Sequence, residues 1–448
     1  MSLREVRPEY TRDLPPGPAV FTQEEIRCLE EDRIFLPQPK PDITGNRKVS
    51  AIFNAPRSVI RSLPSPSASV RIRGFQSDVI QTFRIPMEEE SIGVLEYIGF
   101  VPDTARIIYE RYINRPDPDQ NPDDLMRYAC GHICSLKARR YENVSHKEAL
   151  RQIGLNLQIQ EAITDPRFSH VFATETLYYW TKDTIQTNYI SLLSRQTRLR
   201  NYTDQHSKKY KRPTDQKNLQ QDKSQDSVES AVINMTLRDF QFPEKHVVMQ
   251  TEMDTLNDHI SLYKVKAHER WYNYDCIIND DGTVNLAPLL KYDGDTNWVM
   301  ASYYWTPEKE TAEEYRQYAA GRCPMSETCI IRIQIPWSFV NRLHRENLWY
   351  SPDWKEYVWT CRKAMKPHQK FHRLLNAELV ISHICSSMST HVTHIPSQDV
   401  QTRITEDDVM RLPSGRKAVQ WMFPGDIVEL LEKEIRGKIH IDIFEATI

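Results

Sequence analysis

Between residues 299 and 336 the apolar positions change their period twice. Residues 299–305 form an apolar, aromatic run, VMASYYW, that reads as a buried strand. Thr306 and Pro307 then offer a hydroxyl for a helix cap and a proline where no amide proton is needed. Ala312, Tyr315 and Ala319 follow at helical spacing. Residues 329–335 read as a strand stopped by Pro336, and after a loop residues 355–359 read as another strand, with Glu356 as its acid among aromatics. Strand, helix, strand, loop, strand is the frame of an α/β or α+β domain, and the chain as a whole reads as α+β.

The rest of the chain arranges itself around that frame. Residues 1–85 are a proline-rich arm, with prolines at 15, 16, 18, 37, 39, 41, 56, 64 and 66 that forbid long regular elements. Within it, Thr22 and Glu25 have capping-box spacing for one short helix, and residues 70–73 and 79–85 alternate like strands. Residues 86–200 are helical. Ile107, Ile108, Tyr109 and Tyr112 are read onto one face, Asn121-Pro-Asp-Asp opens one helix, Ser145 with Glu148 starts another, and a further one begins near Asp165. The apolar, aromatic run 171–193 reads as the core of this helical domain. Residues 201–230 are polar and nearly without aliphatics, a linker by composition, and the basic cluster at 208–212 with Lys217 reads as a solvated loop rather than a nucleic-acid patch. A strand-rich domain spans 231–448, with strands at 232–242, 247–249, 260–265, 377–384 and 419–423, a helix at 425–436 and a last strand at 438–444.

Composition narrows the function. Two or three domains fit 448 residues. Glycine is scarce at 13, and neither GxGxxG nor GxxxxGK[ST] occurs, which removes the common phosphate loops. A formal net charge of −3 gives no global attraction for nucleic acid. Eight irregularly spaced cysteines suggest reduced thiols. With no apolar leader at the N-terminus and no run long enough for a bilayer, the expected place is intracellular, cytoplasmic or nuclear.

The order LYK (262–264), YYWTPEKETAEEY (303–315), WKEYVWTCRK (354–363), AELVISHIC (377–385) and RKAVQWMFPGDIVELL (416–431) resembles the ADP-ribosyltransferase superfamily. The resemblance covers roughly 230–448 and is nearest to that superfamily's small, little-characterised members, including fungal proteins. It implies a split-sheet domain that takes NAD between two small sheets. Tyr263 and Lys264 fall where the family usually reads Leu-Tyr-His-Gly, so lysine stands for histidine. Tyr304 and Thr306 keep the tyrosine and threonine of the second-strand motif, whose glycine is Ser302 here. Glu356 is the expected catalytic carboxylate. The resemblance thus assigns NAD contacts to Tyr263, Lys264, Tyr304 and Thr306. Catalysis would fall to Tyr304, as an aromatic wall for nicotinamide, and to Glu356, which would stabilise an oxocarbenium-like transition state. Lys264 would act as a point charge on a phosphate or ribose oxygen. Two functions follow as expectations: a divergent ADP-ribosyl transfer or NAD-cleaving activity, or a catalytically inactive module of the same fold that meets a protein partner.

No metal is expected. Cys130, His132 and Cys134 lie two apart on a predicted helix, where such positions diverge. His368, His372, His383, Cys385, His391 and His394 crowd one span without a CxxC knuckle and read as structural. No GxSxG elbow is present.

Overall fold

The computed structural model describes residues 15–37, 45–50, 68–73, 82–116, 123–134, 144–210, 246–248, 254–267, 277–279, 283–292 and 294–447, and these make a mixed α+β protein. Their strands are β1 (Asn46–Val49), β2 (Ala68–Arg73), β3 (Phe83–Pro86), β4 (His246–Val248), β5 (His259–Ala267) and β6 (Ser302–Trp305). They continue with β7 (Thr328–Pro336), β8 (Arg345–Leu348), β9 (Leu379–His383), β10 (Val419–Pro424) and β11 (Ile439–Phe444). Five strands form one sheet in the order β4-β2-β11-β7-β5, four form a second in the order β6-β10-β9-β8, and β1 pairs with β3.

The alternation in β7 explains how the two sheets meet. Cys329, Ile331, Ile333 and Ile335 point to one side, and Ile439, Ile441 and Ile443 of β11 join them. Tyr303 and Trp305 of β6, Leu379 and Ile381 of β9, and Trp421 and Phe423 of β10 close the same core from the second sheet. The opposite face of the second sheet is also covered: Val380 and Met422 pack against Trp354, Tyr357 and Val358. Such double burial makes β9 and β10 near-continuous apolar runs.

The other face of the five-stranded sheet is polar and still buried. Ser69, Arg71, Arg332, Gln334, His440 and Asp442 lie on it, each under a tenth exposed. β2 runs parallel to β11, so Ser69 meets His440 and Arg71 meets Asp442. Ser69 Oγ lies 2.8 Å from His440 Nδ1, and Arg71 Nη2 donates to Asp442 Oδ2 at 2.7 Å while its Nε bonds Oδ1. This pairing corrects the division of the chain read from composition, because part of the proline-rich arm is an interior strand of the C-terminal sheet.

Thr22 and Ser145 cap helices as their spacing predicts, the first with a complete capping box. Three expectations change. The helix Leu177–Tyr210 runs ten residues into the polar stretch expected to be a linker. Leu199 and Tyr202 keep its apolar face buried, Tyr202 donates to Asp32 at 3.0 Å, and no proline interrupts the sequence before Pro213. Residues 211–230, and the strand expected at 232–242, lie outside the described residues. The run at 299–305 is strand only from Ser302, because Asn297 Oδ1 accepts Met300 N–H at 2.8 Å and turns the chain first. Residues 355–359 are not a strand. They belong to the helix Pro352–Arg362, which Ser351 caps by accepting the Trp354 N–H at 3.2 Å. Trp354, Val358 and Cys361 recur at helical spacing and are buried.

The helical segment shares its core with the C-terminal half. Tyr318, Ile384, Met410 and Leu412 pack among residues 94–202, and Tyr318 donates its hydroxyl to Ile163 O at 2.8 Å. Among the described residues no helix is long and apolar enough to cross a membrane.

Asp442 gives a pH test of this frame. Burial raises its pKa, but the hydrogen bonds from His440 and Arg71 outweigh that and hold it well below the usual 3.8. A depressed carboxylate stabilises the fold above its ordinary pKa, and that contribution is lost as the pH falls below it. Urea melts should therefore show the wild type losing stability below pH 3.8, while Asp442→Asn starts about 3 kcal/mol weaker at pH 7 and loses less on acidification.

Candidate functional site

Besides their shared core, the two sheets are joined among the described residues by one backbone bridge. Tyr263 N–H donates to Thr306 O at 2.7 Å and Thr306 N–H returns to Tyr263 O at 3.0 Å. Beyond that bridge β5 stays with β7 and β6 stays with β10, and a cavity of about 660 Å³ opens beside the junction. One wall is the helix Lys309–Arg322, whose Ala312, Tyr315, Ala319 and Arg322 face inward, and another is the long helix, through Tyr179, Trp180, Asp183 and Thr187. The small side chains of Ala312 and Ala319 leave the room.

Tyr263, Lys264, Tyr304 and Thr306 all line this cavity. Lys264 Nζ donates to Tyr304 O at 2.9 Å and lies 6.0 Å from the centre of the Trp305 ring. Lys264 is half-buried where it lines the cavity. Burial first, and then the charges of Lys266 and Lys291, push its pKa well below the usual lysine value. Burial likewise drives the Tyr304 hydroxyl pKa far above normal, so it stays protonated. Gly294 lies under that ring: a Cβ there would stand 2.4 Å from the Tyr304 hydroxyl. Thr306 is not the cap its position suggested. Its Oγ1 donates to the Glu308 carboxylate at 2.7 Å and accepts the Glu308 N–H at 3.2 Å, and the helix starts at Lys309.

Glu356 is elsewhere, and this corrects the expected catalytic set. On the helix Pro352–Arg362 it turns to solvent, where its carboxylate accepts from Lys370 Nζ at 2.6 Å. The carboxylates that do line the cavity are Glu175, Asp183 and Asp295. Each is in an ion pair: Glu175 with Lys291, Asp183 with Arg322 at 3.0 Å, and Asp295 with Arg362 at 2.6 Å. Sequence reasoning missed these pairs because their members lie far apart along the chain. Only Arg322 had a local signal, continuing the inward stripe of Ala312, Tyr315 and Ala319.

The walls also hold buried polar atoms without a partner among the described residues: Trp305 Nε1, Arg322 Nε and Thr328 Oγ1. Each is enclosed by protein, so none opens onto the cavity space.

The histidines expected to be structural are dispersed among local bonds. His383 Nδ1 accepts the Tyr350 N–H at 3.0 Å, and burial, aided by Lys417, pushes its pKa down to about 4. His368 accepts from Lys370 N–H at 3.3 Å, and His132 Nε2 lies 2.9 Å from Ile153 O. Among the described residues no three His, Cys, Asp or Glu side chains gather as a metal ion requires.

Asp295 sets the cavity floor, since its carboxylate also accepts the Cys385 N–H at 2.8 Å. Removing only one partner of so buried a pair strands a charge. Arg362→Met should cost about 3–5 kcal/mol in a denaturant melt, and the double variant Asp295→Leu/Arg362→Met should recover part of that loss.

No family model, no curated protein and no solved structure matches the chain.

Proposed function

We propose that the cavity is a binding site for NAD in a divergent ADP-ribosyltransferase-like protein, and that it holds the dinucleotide without transferring its ADP-ribose through Glu356. The observation that carries this reading is the convergence of Tyr263, Lys264, Tyr304 and Thr306 on one cavity while Glu356 lies outside it, bonded to Lys370 on the outer side of the helix Pro352–Arg362. A volume of about 660 Å³ falls within the range of small-molecule sites. Tyr304 supplies an aromatic wall, and Tyr179 and Tyr315 add others.

Bound NAD would bring a glycosidic bond whose cleavage needs an available carboxylate beside the ribose. Glu175, Asp183 and Asp295 are each neutralised by a cation, and this favours binding over transfer. Two of the pairs, Glu175 with Lys291 and Asp183 with Arg322, also tie the helical segment to the C-terminal half, so occupancy of the cavity would stiffen the join between them, as suits a module that presents a surface to a protein partner.

NAD should raise the melting temperature in proportion to its concentration, by about 2.7 kcal/mol of stability at a hundredfold excess over Kd. Tyr304→Ala should weaken that response and Glu356→Gln should leave it unchanged. Release of nicotinamide that Glu356→Gln abolishes would replace this reading by an active transferase. No thermal or calorimetric response to millimolar NAD would leave the protein-interaction module alone.

A further inference from the structure

We propose that Lys264 is a nucleophilic amine that captures the carbonyl carbon of a small aromatic aldehyde entering the cavity, forming an imine. This goes beyond the NAD reading and does not rest on it.

Four features of the site lead there. Lys264 opens onto the cavity from the middle of β5, on a strand fixed along both edges by β7 and by the bridge to Thr306. Its one hydrogen-bond partner among the described residues is the Tyr304 carbonyl oxygen at 2.9 Å, an acceptor that a neutral amine satisfies while keeping its lone pair. Among the described residues no carboxylate pairs with it: Glu175, Asp183 and Asp295 are held by Lys291, Arg322 and Arg362. Two further lysines, Lys266 and Lys291, share the cavity wall and disfavour a third positive charge. A desolvated lysine beside other cations is the arrangement that makes an amine nucleophilic at neutral pH. The lowered pKa of Lys264 agrees with that geometry. Tyr179, Tyr304, Trp305 and Tyr315 line the space around it and select a flat carbonyl compound.

The step balances without a further reactant. The Nζ lone pair attacks the carbonyl carbon and forms the C–N bond. The carbonyl oxygen takes one proton from the amine and one from solvent and departs as water, leaving a protonated imine on Lys264.

Pyridine-3-carboxaldehyde with sodium cyanoborohydride, applied to the full chain at pH 7, tests this by fixing any imine as a secondary amine that peptide mass mapping locates. Lys264 should be labelled first, at least about tenfold ahead of the exposed lysines, since each unit of pKa depression raises the neutral fraction tenfold. Lys264→Arg should remove that fast phase and leave only the slow surface labelling. If exposed lysines react and Lys264 does not, the proposal is wrong, and the wild-type map decides this even if the variant fails to fold. A chain that labels fast at Lys264 yet shows no thermal response to NAD would reject the NAD reading alone, and the reverse result would reject only the nucleophile.

Discussion

The backbone pair between Tyr263 and Thr306 is the constraint on which the site depends. It is one bridge, not a ladder, so it fixes where two sheets touch without merging them. Had β5 and β6 paired along their length, the sheets would be continuous and no gap would remain between their faces. Because β6 turns away after Thr306, the next inward residue of β5, Lys264, can reach across to the Tyr304 carbonyl. The bridge and the lysine together set the width of the junction, and the Ala312 and Ala319 stripe keeps the opposite helix from filling it.

Buried ion pairs then fix the walls. Asp183 with Arg322 joins the long helix to the end of the helix Lys309–Arg322. Asp295 with Arg362 joins the loop under Tyr304 to the helix Pro352–Arg362. Neither pair is an obvious source of stability, because desolvating two charges consumes most of what their attraction returns. Their value is geometric. An arginine whose nitrogens are bonded to a carboxylate and to backbone carbonyls, as Arg362 is to Asp295, Ser387 and Cys385, accepts few other positions. That rigidity holds the floor and sides of the cavity in register with β5 and β6.

Much of the fold was legible because its signals are local. The alternation of β7, the Thr22 capping box and the apolar face of the long helix each lie within a few residues of sequence. Glu356 was misread where two local signals conflict. Ser351, Pro352 and Asp353 announce a helix, but the aromatic run after them resembles a strand, and the cap decides because it satisfies backbone N–H groups that alternation leaves open. The inserted strand β2 was legible as a strand and not as a member of the C-terminal sheet, since a parallel partner 371 positions away leaves no trace in local pattern. In the same way Tyr304 and Lys264 could be singled out, but their charged neighbours Glu175, Asp183 and Asp295 could not.

Lys264 shows why the residue type alone misleads. By composition a lysine is a surface charge, and as a match to a histidine position it is a point charge for phosphate. Magnitudes favour neither in the ligand-free protein. Taking an ammonium out of water costs several kcal/mol, and one hydrogen bond from a charged donor to a backbone carbonyl returns only about 1.5–3 kcal/mol. Burial, and then the charges of Lys266 and Lys291, shift the balance toward the neutral amine. An anionic ligand reverses this balance, because a phosphate within hydrogen-bonding reach supplies the missing countercharge and draws a proton onto Nζ. On the proposed readings the same side chain would act as a nucleophile toward a neutral carbonyl compound and as a cationic anchor toward an anion, and the occupant would select between the two.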